Sequence, residues 1–125
     1  MDKGKILVVD DEVYILHILE FSLGAEGFQV ITANNGELAV ERAIQEQPDL
    51  IVLDIMMPVL DGYETCRRLK RQAETKDIPV ILLTAKGREA DKRLGYEVGA
   101  IDYIIKPFSP GRLIGRIEEI VGCRK

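Results

Sequence analysis

Three short apolar runs that never alternate with polar residues limit what this chain can fold into: Ile6-Leu-Val-Val9, Leu50-Ile-Val-Leu53 and Val80-Ile-Leu-Leu83. A strand with one wet face alternates, so unbroken runs of this length point to strands buried on both faces, as in a parallel sheet covered by helices. The second run closes on Asp54, and Pro58 follows four residues later. That carboxylate stands at the carboxyl end of its strand, the edge of an open α/β sheet where ligands collect. A carboxylate held there serves as a nucleophile, a metal ligand or a cap, and the run alone does not choose between them.

Helical periods fill the intervals. Val13, Leu16, Leu19 and Leu23 recur at helix spacing, with Gly24 and Gly27 as the stop. The acids Asp10, Asp11 and Glu12 are expected in the first turn of that helix, where they would complement its dipole. Ala39, Val40, Ala43 and Ile44 form a second stripe after the turn or cap at Asn34-Asn-Gly36. Tyr63, Cys66, Leu69 and Ala73 mark a third helix whose outer face, Arg67, Arg68, Lys70 and Arg71, reads as solvated surface. The segment 88–98 is the weakest helix, bracketed and interrupted by Gly87, Gly95 and Gly99. Leu113, Ile117 and Ile120 line a last one. Strands are expected at about 5–10, 28–33, 49–54, 78–83 and 101–105, giving a βα unit repeated five times. The fold class is α/β: a three-layer, doubly wound parallel sheet of flavodoxin-like order 2-1-3-4-5.

Size and charge narrow the function. A chain of 125 residues fits one domain, 1–125, with an adequate core. A formal charge of -4 disfavours direct nucleic-acid or anionic-membrane binding. Cys66 and Cys123 lack metal-site spacing and read as free thiols in a reducing cytoplasm. No run approaches a membrane span, and the first strand-like run is too short for a signal peptide. His17, the only histidine, has no ligand-type neighbour and reads as an ordinary helix residue.

In that topology Asp10 and Asp11 end the first strand, Asp54 the third and Thr84 the fourth, and Lys106 follows the fifth, all on one edge. Carboxylates this close repel one another without a counter-charge. Mg2+ supplies one, because it takes one or two carboxylates and a carbonyl and retains waters. Phosphoryl transfer suits the whole set, since it needs an in-line nucleophile, positive charge and hydrogen-bond donors around the phosphoryl oxygens.

The order and spacing of Val8-Val-Asp10-Asp11-Glu12, Leu53-Asp54-Ile-Met56-Met-Pro58 with Asp61-Gly62, Leu83-Thr84-Ala85, Gly99-Ala100, Asp102-Tyr103 and Lys106-Pro107-Phe108 resemble the receiver domain of two-component response regulators over essentially the whole chain. The resemblance implies that Asp54 is the phosphoacceptor. Asp10 and Asp11 would position Mg2+, one directly and one through water, with the Met56 carbonyl as a further ligand. Thr84 and Lys106 would bind the phosphoryl oxygens, the Lys106-Pro107 bond would be cis, and Tyr103 would be the aromatic switch that follows Thr84. The donor would be a phosphohistidine on a sensor histidine kinase or a histidine phosphotransfer protein, docking on the first helix and the loop after the fifth strand. The last three elements would carry the output, to an effector or a homodimer, and the aspartyl phosphate would eventually hydrolyse. Such a protein signals in the cytoplasm and is not a turnover enzyme.

Three features depart from the pattern or go beyond it. Ile101-Asp102 stands where many transcription-factor receivers carry two acids, so their dimer salt-bridge network is not carried over. Lys86, two residues past Thr84 and flanking the site, is expected to alter the lifetime of the phosphorylated state. Val13, Ile15, Ile18 and Phe21 give the first helix more apolar residues than one buried stripe needs, which implies a docking patch. Rival readings fit less well. A haloacid-dehalogenase-type phosphatase needs an acid where Met56 stands, and a flavodoxin-like cofactor binder needs a phosphate loop where Asp10-Asp11-Glu12 stand. A phosphorylation-independent interaction module is the alternative that the five site groups argue against.

Overall fold

The computed structural model describes residues 3–57, 60–85 and 89–124. The elements run β1 (Lys5–Val9), α1 (Val13–Ala25), β2 (Gln29–Ala33), α2 (Gly36–Glu46), β3 (Leu50–Asp54), α3 (Gly62–Arg71), β4 (Val80–Ala85), α4 (Glu89–Glu97), β5 (Asp102–Lys106) and α5 (Pro110–Arg124). The five strands are parallel in the order β2-β1-β3-β4-β5, as the apolar runs predict.

Successive strand residues face opposite sides of a sheet, and here both sides are buried. Ile6, Val8, Leu50, Val52, Ile81, Leu83 and Ile104 pack with Leu16, Leu19 and Leu23 of α1 and Leu113 and Ile117 of α5. Leu7, Val9, Ile51, Leu53, Val80 and Leu82 pack with Ala39 and Ala43 of α2, Cys66 and Leu69 of α3 and Val98 just past α4. This double burial is why the runs show no polar alternation.

Strand ends differ from the expected bounds in ways that matter for the site. Asp10 lies just past β1, while Lys106 is the last residue of β5 and is in register with Ala85. Phe28 precedes β2 because it completes the stop of α1: its N–H donates to Leu23 O at 3.1 Å and that of Gly27 to Gly24 O at 3.1 Å. This 6→1 and 5→2 pairing is a Schellman motif, with Gly27 at φ 99°. Gly24 lies inside the helix and contributes only its carbonyl.

The three acids are not in the first turn of α1. That helix begins at Val13 with Glu12 at the N-cap, because Asp10 Oδ1 accepts the Glu12 N–H at 3.0 Å and holds the chain extended there. Asn35 is the cap of α2, its side chain accepting the Leu38 N–H at 2.8 Å, and Asp61 caps α3 through the Glu64 N–H at 2.9 Å. On α3, Arg68 and Arg71 are solvated as expected, but Lys70 is half-buried and donates to the Lys76 and Ile78 carbonyls at 3.1 and 2.7 Å. It fastens the turn before β4. His17 is exposed on α1. Cys66 is a free buried thiol, pushed up to about 11 by burial, with Sγ 3.5 Å from the Val98 carbonyl. No helix among the described residues is long and apolar enough to cross a membrane.

Candidate functional site

Alternation along the strands decides which polar ends meet. Asp10, Asp54 and Lys106 continue the positions of Val8, Val52 and Ile104, the side covered by α1 and α5. Thr84 continues Leu82 instead, on the side of α3 and α4, where Tyr103 also packs. Asp10 and Asp54 are 0% and 2% exposed, and Thr84 is buried.

Lys106 joins the first group. Its Nζ lies 3.0 Å from Asp10 Oδ2, 3.3 Å from Glu12 Oε1 and 3.4 Å from Asp54 Oδ2. Burial disfavours the ammonium, but the hydrogen bond to Asp10 and the charges of Asp54 and Asp10 outweigh it, so Lys106 is held above its ordinary range. Asp54 is pushed up to about 6 by burial and by the charge of Asp10, against the opposing pull of the Met56 N–H and Lys106. The Met56 N–H donates to Asp54 Oδ1 at 3.2 Å, while the Met56 side chain is exposed. One carboxylate pushed up between a second carboxylate and an ammonium describes a site short of positive charge.

Oxygens of Asp10, Glu12 and Asp54 lie within 4.8 Å of one another. These hard donors fit a cation such as Mg2+. Asp11, expected among the ligands, is exposed and lies outside this group. Glu12 is inside it, and sequence reasoning missed its part. The signal available was its place as the last acid before the helix, read there as a dipole partner.

Two further relationships fix the site. The Gly62 N–H donates to Ile55 O at 3.2 Å, and a Cβ on Gly62 would fall 2.5 Å from Asp54 O and 2.6 Å from Ile55 Cα. The start of α3 is therefore pressed onto the backbone that carries Asp54. Beyond Lys106 the bond to Pro107 is cis, as expected, and this loop faces α1 across a groove of about 380 Å³. Glu12, Tyr14, Ile15, Ile18, Pro107 and Phe108 line it. On α1, Val13 and Tyr14 are each 60% exposed, Ile18 44% and Phe21 79%, so most of the surplus apolar residues lie on the surface, while Ile15 packs against the core. Tyr103 is half-buried and meets Tyr96 edge to face at 6.0 Å. Lys86 and Pro58 lie outside the described residues, so the expectation for Lys86 has no structural account.

The family model for the response regulator receiver domain matches residues 6–118. This chain belongs to that family. It is 50% identical over 117 residues to the alkaline phosphatase synthesis transcriptional regulatory protein PhoP of Bacillus subtilis (strain 168), covering 94% of this chain and 48% of the relative. The receiver thus spans about half the length of the curated relatives it matches. Among solved structures, the signal receiver domain of a signal transduction histidine kinase from Syntrophus aciditrophicus superposes with a TM-score of 0.90 at 37% identity, covering 98% of this chain and 92% of that one. The receiver domain of sensor histidine kinase PA1611 from Pseudomonas aeruginosa PAO1, solved with a magnesium ion coordinated in its active-site cleft, gives 0.87 at 31%, covering 95% and 98%. A receiver is a signalling domain of two-component systems, and the acidic cluster at these strand ends suits the cation such domains bind.

Proposed function

We propose that this receiver takes a phosphoryl group from a phosphohistidine onto Asp54. The observation that carries this reading is the Lys106 ammonium within 3.4 Å of both Asp54 and Asp10 at a buried strand edge. An Asp54 oxygen attacks phosphorus, the O–P bond forms as the P–N bond to the donor imidazole breaks, and the imidazole keeps the electron pair. Lys106 and the Thr84 hydroxyl bind the phosphoryl oxygens. Asp10, Asp54 and the Met56 carbonyl would hold Mg2+, with Asp11 or Glu12 as a further acid near it. When bound, the cation neutralises charge on the transferring group. Attack by water on phosphorus later breaks the O–P bond, releasing phosphate and restoring the carboxylate.

Thr84 and Tyr103 share the α3 and α4 side of the sheet, which supports a switch in which Tyr103 turns inward as Thr84 moves to the phosphoryl group. The output surface is α4, β5 and α5, where Tyr96, Ile101 and Ile105 are exposed. Asp102 is engaged within the chain by Arg116 at 2.6 Å, and Arg116 also meets Glu119 at 3.2 Å, so a homodimer on this face would differ from one built on two acids. The protein donor, a histidine kinase or phosphotransfer protein, docks in the groove between α1 and the Lys106-Pro107-Phe108 loop. Kinship with a transcriptional regulatory protein supports a transcriptional output in the cytoplasm.

Incubation with a small acyl phosphate and Mg2+ followed by intact-mass measurement tests this reading. A phosphate-sized adduct is expected that EDTA and Asp54→Asn abolish; no adduct would favour a phosphorylation-independent binding module.

A further inference from the structure

Gly36 is the first residue of α2 and has no part in the phosphoryl chemistry above. Its backbone is helical, so no left-handed conformation calls for glycine there, and alanine is the better helix former. What keeps a larger residue out is space. A Cβ on Gly36 would overlap Thr65 Oγ1 and fall 2.8 Å from Leu60 Cδ2. Thr65 lies in the first turn of α3 and Leu60 just before it, and both are buried, Thr65 completely.

The same turn meets the acceptor on its other side. The Gly62 N–H donates to Ile55 O at 3.2 Å, and Gly62 has no room for a methyl group against Asp54 O. Thr65 joins the two sides: its N–H and its hydroxyl both donate to Asp61 O, at 3.0 and 2.8 Å, while the Asp61 carboxylate caps the helix at the Glu64 N–H. Turning the Thr65 hydroxyl away from Gly36 would break its bond and leave a buried hydroxyl unpaired. The first turn of α3 is therefore gripped between α2 and the carboxyl end of β3, with a glycine at each contact. A close-packed interior transmits a displacement at one contact to the other.

We propose that Gly36 is a positioning residue for the phosphorylation of Asp54. Lacking a side chain, it lets Thr65 and Leu60 seat against α2, and through Gly62 that seat fixes the backbone of Asp54 and Ile55 and the Met56 carbonyl that follows. A helix that supplies no group to the site thus sets where the acceptor and the cation stand. This inference rests on the phosphoacceptor reading of Asp54.

The test compares Gly36→Ala with the wild type as whole chains, by amide NMR without metal, by Mg2+ titration and by intact mass with a small acyl phosphate. The Ile55, Met56 and Gly62 amides are expected to shift in the metal-free variant, and Mg2+ should bind more weakly. The phosphorylation rate at saturating Mg2+ should fall on the order of 10-fold, part of the 10²-fold that a misplacement of about 1 Å can bring. Gly24→Ala, inside α1 where a Cβ meets nothing within 4 Å, should change none of these. Adding Thr65→Ala to Gly36→Ala removes the overlapping hydroxyl and should return the amides and the rate most of the way to wild type. Unmoved amides in Gly36→Ala, an unchanged rate, or a loss that Thr65→Ala does not relieve overturns the inference. If Gly36→Ala does not fold, Thr65→Ala alone loosens the contact from the other side, and amides and rate both at wild-type values overturn it. No adduct on the wild type overturns the phosphoacceptor reading instead, and the metal-free amides still decide whether Gly36 sets the position of the Asp54 backbone.

Discussion

The Lys106 ammonium at the end of β5 lies 3.0 Å from the Asp10 carboxylate past β1, across 96 residues of sequence and over the ends of two intervening strands. It is closer to Asp10 than to Asp54, which lies at 3.4 Å. Lys106→Ala should slow phosphorylation of Asp54 on the order of 10²-fold, the usual effect of removing one preorganised charge from an acyl- or phosphoryl-transfer site. It should also leave Asp10 and Asp54 facing each other without a cation. Time-resolved intact mass with a small acyl phosphate reads the first effect, and thermal unfolding in EDTA the second.

Asp54 is pushed up to about 6 in the folded chain, from an ordinary carboxylate value of 3.8. A folded value above the unfolded one means that its contribution to stability is fully present below about pH 4 and is lost as pH rises through about 6. Metal-free protein should therefore be less stable at pH 7.5 than this carboxyl would allow if neutral. Asp54→Asn should raise stability in EDTA at pH 7.5 by on the order of 2 kcal/mol, with the gain gone at pH 4. Saturating Mg2+ should narrow the difference by stabilising the wild type. Thermal scans across pH, with and without Mg2+, check the sign, and an Asn variant no more stable at pH 7.5 would contradict it.

The fold could be read from the sequence because both sides of the sheet are covered, which leaves unbroken apolar runs at β1, β3 and β4 that no half-exposed strand would show. The strand ends were read to within a residue or two, and that error mattered at Lys106, which closes β5 instead of following it. The topology puts Asp10, Asp54, Thr84 and Lys106 at or next to strand ends, and Asp10, Asp54 and Lys106 meet there. Glu12 was misplaced because its role depends on where α1 begins, and that is decided by the Asp10 side chain accepting the Glu12 N–H. Asp11 shows the opposite case: one position from Asp10 in sequence, it is exposed beside the cluster. Lys70 looked like surface charge because no sequence pattern shows the carbonyls it meets at residues 76 and 78.

Gly62 entered the sequence reading only through the Asp61-Gly62 pair, yet in the fold it lies against the backbone that carries Asp54. A methyl group there would press on Asp54 O and Ile55 Cα, atoms of backbone that cannot rotate away. Gly62→Ala should cost about 1–3 kcal/mol, the range for overpacking a well-packed site. Because the displaced atoms carry Asp54, phosphorylation should slow as well. Chemical denaturation and the acyl-phosphate assay read the two effects, and a variant that lost stability alone would show that the shift is absorbed by α3.

The apolar surface of α1 supplies the last expectation. Ile18 lines the groove beside Lys106 and is 44% exposed, so replacing it removes little core packing. Ile18→Asp should change folding stability by about 0.5 kcal/mol or less. It places a charge where an apolar partner would be desolvated, and a misplaced charge at an interface costs several kcal/mol. Transfer from a phosphohistidine protein should therefore fall on the order of 10²-fold or more, a much larger loss than for a small acyl phosphate, which needs no docking surface. The ratio of the two rates in wild type and variant is the measurement. Equal losses with both donors would move the docking site away from α1.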